Sequence, residues 1–140
     1  MQPWARELLD VWKSNIPRLV RTFQEKIATN AELALNYSDS DLEQFTHGLY
    51  AMMEEELDGR DRDAYLTYLQ SVIPALVMQG ESPVRLARAL TFDAIVVQMV
   101  IVPLMSDQHR VAAADYLMNW WANYNADVIR VALDALKDAS

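Results

Sequence analysis

Apolar residues recur at three- and four-residue intervals along nearly all of this chain, and only three glycines and five prolines among 140 residues are available to turn it. That spacing places the apolar side chains on one stripe of a helix. A β-rich fold needs far more turn material, so the expected fold class is all-α. At this length a single domain, residues 1–140, buries about two-thirds of its unfolded surface in one core, and no cofactor is required for folding.

The stripe opens with Leu8, Leu9, Trp12, Ile16, Leu19, Val20, Phe23 and Ile27. Pro17 interrupts it, which predicts either a kinked helix or two consecutive helices, because proline lacks a donor and clashes with the carbonyl four residues back. A connector follows from Asn30 to Tyr37. Ser40 and Glu43 form a capping-box pattern ahead of Leu42, Phe45, Leu49, Met52, Met53 and Leu57, predicting a helix that ends near Gly59. The next helix is expected from Asp61 to Met78, with Gly80 just beyond it. Ser82-Pro83 starts a fourth, reaching about Leu104. Ser106 or Asp107 caps a fifth that continues through Leu136 without Gly or Pro. About 30 residues there predict a rod of roughly 45 Å, longer than a compact domain needs.

Charge narrows the partners. A net charge of -8 opposes nucleic-acid binding, which depends on clustered Lys and Arg. The absence of cysteine excludes disulfides and thiolate chemistry. The N-terminus does not read as a signal peptide, so a cytoplasmic location is expected. The apolar run Ala94 to Met105 falls short of the ~20 residues that span a bilayer, so no membrane span is expected and the run should be buried in protein.

Asp93 and Gln98 stand within the most apolar segment, TFDAIVVQMVIVPLM. Asp93 is either a ligand contact or a protonation-sensitive switch, since desolvation raises a carboxyl pKa, or a paired carboxylate at the margin of the core. Gln98 is the second candidate. The acidic stretch EEELDGRDRD, Glu54 to Asp63, lacks the alternating order of a calcium loop and reads as a solvated helix end and turn. His47 and His109 lie on different helices with no Glu-x-x-His pair, so the di-iron bundle pattern fails and no metal is expected. The triplet Asn36-Tyr37-Ser38 carries no weight without a secretory signal. Tyr116, Trp120, Trp121 and Tyr124 crowd the last helix. Adjacent tryptophans project about 100° apart, which makes Trp120, Trp121, Tyr124 and Val128 candidates for a homodimer interface.

The segments LLDVWKSNIPRLV, GESPVRLARALTFDAIV and YLMNWWANYNADVIRVALDAL resemble the N-terminal domains of the RsbR family of stressosome proteins, including the RsbRD type, over essentially the whole chain. The resemblance implies a dimeric, non-haem, globin-like sensor domain whose last helix leads into a STAS domain. It implies no catalytic residues and no agreed ligand. No STAS segment is present, so an isolated sensory domain or a stand-alone relative is expected. The implied function is stress or small-molecule signalling to a regulatory protein partner, without enzymatic activity. A haem-binding globin is the first alternative. It would need an axial ligand on the third helix, which has no histidine but holds Tyr65 and Tyr68. A small all-α enzyme using Glu43, Glu54 or Asp93 is the second; no spacing sets two of these against one substrate.

Overall fold

The computed structural model describes residues 1–30 and 38–139, and every element among them is helical. Residues 31–37, which hold most of the expected connector and the Asn36-Tyr37 pair of the glycosylation triplet, lie outside the described residues. The helices are α1 (Pro3–Ser14), α2 (Ile16–Thr29), α3 (Asp39–Leu57), α4 (Asp63–Thr67), α5 (Ile73–Met78), α6 (Pro83–Ile101) and α7 (Asp107–Ala139). The all-α fold with a long C-terminal helix is therefore as the periodicity indicates. At 33 residues, α7 is about 50 Å long.

The prolines set the local geometry. Pro17 lies in the first turn of α2, and the break falls at Asn15, with φ -120° and ψ 14°. Of the two alternatives at Pro17, consecutive helices form. Pro74 acts differently. It has no N–H to give the carbonyl of Gln70, and its ring would strike that oxygen in a regular α-helix. The chain widens into a π-helical turn over Tyr68–Val72 between α4 and α5. The single helix expected from Asp61 to Met78 is thus interrupted, and its regular part starts at Asp63. Pro103 does the same to α6, which tightens into a 3-10 turn over Val102–Leu104.

The caps explain the remaining boundaries. At α3 the capping box is formed by Ser38 and Asp41, two residues before the expected pair. Asp41 N–H donates to Ser38 Oγ at 3.2 Å, and the Asp41 carboxylate accepts from Ser38 N–H at 2.9 Å. Aspartate at the third helical position does the work foreseen for Glu43, so Ser40 falls inside the first turn. Gly59 and Gly80 follow α3 and α5 with φ of 69° and 97°, a region that side chains with a Cβ rarely enter. Ser82 caps α6 by accepting from Arg85 N–H, with Pro83 in the first turn, as expected.

α7 runs through the middle of the molecule. It packs most extensively on α6 and also against α5 and α1, while α2 bridges α3 and α6. The core between them is unusually aromatic. Trp12 stacks on Trp121 at 6.4 Å, Tyr65 meets Trp120 edge-on at 6.0 Å, and Trp120 lies 4.8 Å from Tyr124. Such pairs add roughly 0.5–1.5 kcal/mol each to their area burial. Trp12 Nε1 donates to the Thr46 carbonyl at 3.3 Å, and the Thr46 hydroxyl itself donates back to the Leu42 carbonyl.

A polar joint ties α1 to the start of α7. Ser106, immediately before α7, donates its N–H and Oγ to the carboxylate of Glu7 on α1, and His109 Nδ1 lies 2.6 Å from the same group. These donors, led by the Ser106 amide, hold Glu7 down at about 2, and its charge complements the positive end of the α7 dipole.

Candidate functional site

Two consecutive helices joined by a short turn lie antiparallel, so α6 and α7 present a common outer surface. On α6, Ile95, Gln98 and Val102 follow one another at three and four residues; on α7, Val111, Ala114 and Met118 do the same. Gln98 Nε2 donates to the Ala114 carbonyl at 3.0 Å, which fixes these rows side by side. Gln98 is therefore a clasp between the helices. Its side-chain amide is spent on protein backbone.

The rows are apolar and open. Ile95 is 54% exposed, Met99 57%, Met118 64% and Val111 80%. The α6 row continues towards Thr91 and Val84 over a hollow of about 500 Å³. The α7 row continues through Ala122 to Leu133 and Leu136, both exposed beyond Ala132, the last buried residue of the helix. The spacing from Met118 to Ala122, Ile129, Leu133 and Leu136 keeps one helical stripe. Apolar surface of this extent, interrupted on α7 by Asn125, is unusual on a monomer and marks an interaction surface.

This surface carries little charge. Arg85 and Arg88 border it on α6 and Asp115 on α7, whereas the chain as a whole carries -8. Arg85 is tied to the buried Glu81 at 3.2 Å. The helix from Pro83 to Leu104 is also long and apolar enough to cross a membrane by length and composition, with 39% of its most apolar window buried inside the protein.

The aromatic candidates lie elsewhere. Trp120, Trp121, Tyr124 and Val128 are all buried within the chain, none more than 4% exposed. The two adjacent tryptophans do diverge, but α7 has neighbours on both sides: Trp121 meets Trp12 of α1, and Trp120 meets Tyr65 of α4. A central helix offers two seams, which the expectation of one seam did not allow for. The outward residues Met118 and Val111 lack the aromatic signal that drew attention to their neighbours, although Val111 and Met118 sit seven residues apart, the spacing of a second stripe.

Asp93 occupies the middle of the inward face of α6, in register with Leu86, Ala89, Leu90, Val97 and Val100, all buried. The residue is half-buried, and its carboxylate has no hydrogen-bond or ion-pair partner among the described residues. Of the alternatives for Asp93, the paired carboxylate is thus not what the described residues form. Burial alone pushes its carboxyl up to about 8.

The other polar groups separate. Glu54 pairs with Arg60 at 3.3 Å and accepts from Tyr50, while Glu43 lies eleven positions earlier on the same helix. That is about 16 Å along the axis, so these two and Asp93 do not face a common point. The acidic stretch from Glu54 is the end of α3 and the exposed turn after it, laced by Arg60 and Arg62. Among the described residues no group of three His, Asp or Glu side chains is placed to hold a metal ion. Ser106, His109 and Glu7 superficially combine the members of a nucleophilic triad, but serine and glutamate both meet His109 Nδ1. A triad needs them on opposite ring nitrogens. The two tyrosines of the third helix are engaged in the core: Tyr65 donates to Asp127 at 2.5 Å, and Tyr68 packs on Phe45 and Tyr124.

Comparisons with protein-family models, with curated proteins and with solved structures return no match for this chain.

Proposed function

We propose that the chain is a non-haem, globin-like signalling module that acts as a homodimer through the outer face of α6 and α7. In this reading it passes a conformational bias along α7 to a regulatory protein partner. The observation that carries it is the apolar surface joined across Gln98 and Ala114. A second copy is its occupant for two reasons. Along α7 the exposed residues keep the near-heptad spacing that pairs like helices, and α6 and α7 offer matched rows, as an isologous two-fold contact requires. Charge agrees, since copies of a chain carrying -8 repel least where they meet on the sparsely charged face.

The order of helices supports the globin-like layout, with the α1–α2 break near Pro17 and two long closing helices. Against haem stand the interior occupants. The space beside the third helix is packed by Phe45, Tyr68 and Tyr124, and Tyr65 is committed to Asp127. Relay along α7 requires two packings of the dimer, and the exposed Leu133 and Leu136 extend the same stripe to the end of the helix.

Light scattering coupled to gel filtration at tens of micromolar tests the reading. Twice the chain mass is the expected result, with no binding to phosphatidylcholine vesicles. A monomer that floats with the vesicles would show that lipid covers this face, and a monomer that does not would leave the face without the proposed partner; either result defeats the homodimer.

A further inference from the structure

The chain's basic residues are unevenly placed. Residues 1–30 hold five basic and three acidic side chains, and the remainder seven and seventeen, so a segment of +2 precedes one of -10. Arg60, Arg62, Arg85, Arg110 and Arg130 enter ion pairs with carboxylates in the later part. Lys13 and Arg21 enter none among the described residues. Both instead line a cleft of about 720 Å³ between α2 and α3.

The sequence builds this cleft locally. The break at Asn15 ends α1 just past Lys13, and α2 then presents Pro17, Val20 and Arg21 at intervals of three and four residues. From the other side α3 presents Glu43, His47 and Tyr50, again one helical face. The floor is apolar, with Ile16 buried and Pro17 and Val20 above it. Lys13, Arg21 and His47 supply donors at the rim, and Glu43 is the single acid. The Tyr50 hydroxyl donates to Glu54 at 3.1 Å, so its ring is held as a wall. The volume falls in the range of about 300–1,000 Å³ usual for small-molecule sites, which combine apolar walls with a few convergent polar groups.

We propose that this cleft binds a compact organic anion, a carboxylate carried on an apolar body. The apolar part lies over Pro17 and Val20. The carboxylate meets Arg21, whose planar fork matches it, with Lys13 beside it. Cations left without carboxylate partners in a chain this acidic favour an anion over a cation, and Glu43 discriminates against a second negative charge. None of the lining residues belongs to α6 or α7, so the site stands or falls independently of the homodimer.

The test is an NMR titration of the intact chain with phenylbutyrate, and with phenylbutanol and phenylbutylamine as uncharged and cationic counterparts. Phenylbutyrate is expected to shift the signals of Val20, His47 and Tyr50 and to bind at least about tenfold more tightly than either counterpart, a difference of about 1.4 kcal/mol. Arg21→Glu and Lys13→Glu should each weaken it about tenfold, with Arg21→Gln and Lys13→Gln as milder variants if either reversal disturbs the fold. Arg88→Glu should leave it unchanged. Equal binding of the alcohol or amine, shifts centred elsewhere, or no saturation at millimolar phenylbutyrate would overturn the proposal.

Discussion

The two faces of the α6–α7 pair are both apolar, yet they are filled by different kinds of residue. The inward face holds Leu117, Trp120, Trp121 and Tyr124, the last three set against rings from α1, α4 or the π-helical turn. The outward face holds Ile95, Met99, Val111 and Met118, unbranched or β-branched side chains with no aromatic among them. Large rigid rings suit a core that is filled once, whereas aliphatic side chains at near-heptad spacing suit a surface that another helix meets and leaves. Hydrophobicity alone does not separate the two. What separates them is whether the same chain supplies the matching side chains.

The sharpest break in the comparison is on the inward side. Trp121→Ala should destabilise the fold by ~3–5 kcal/mol through loss of the Trp12 stack and the cavity left behind, read from urea unfolding. An effect below ~1 kcal/mol would place Trp121 outside the core.

Asp93 sharpens the comparison, being a carboxylate set into the inward face without a hydrogen-bond partner among the described residues. Its folded value of about 8 lies above the ordinary 3.8, so the native state holds a proton that the unfolded state releases between these values. Stability should therefore decline as pH rises through that window and level off above it. Asp93→Asn should stabilise the protein by ~2 kcal/mol at about pH 9, well below full linkage because the half-buried carboxylate keeps some of its water, and change it little at about pH 4. A uniform loss at both pH values would show that the carboxylate has a stabilising partner.

The smallest effect is expected at Glu7, which contrasts with Asp93 in having donors on every side. Its folded value of about 2 lies below the ordinary 4.5, so the joint between α1 and α7 stabilises the fold above about 4.5 and loses that contribution as pH falls towards 2. Glu7→Gln should lower the melting temperature slightly near neutral pH and have no effect near pH 2. A pH-independent loss would mean that the charge of Glu7 contributes nothing to the joint.

Much of the fold was legible because it depends on local rules. The stripes through Leu8 to Ile27 and Leu42 to Leu57, the Ser82-Pro83 start and the stops at Gly59 and Gly80 all follow from backbone chemistry within a few residues. Pro74 is equally legible, since a proline inside a helical pattern signals a break or a wide turn. The site was less legible. Which stripe of α6 or α7 faces inward depends on α1, α2, α4 and α5, so Trp120 and Trp121 pointed to the wrong surface and Gln98 gave no hint of Ala114. Asp93 is legible as a misfit, but its lack of a partner among the described residues is a three-dimensional fact. The α2–α3 cleft combines Lys13, Arg21 and His47 from three helices, and only the excess of basic residues in the first thirty pointed towards it.

Sedimentation equilibrium of the wild-type chain beside the Ile95→Asp and Met118→Asp variants tests the difference between the faces most directly. Both residues are more than half exposed, so the fold should keep its melting temperature to within a few degrees at low concentration. The wild type should sediment as a dimer and each variant as a monomer, because a charge set opposite its own copy on an apolar two-fold contact is repelled. A wild-type monomer, or variants that remain dimeric, would contradict the assignment of the outward face to a second copy.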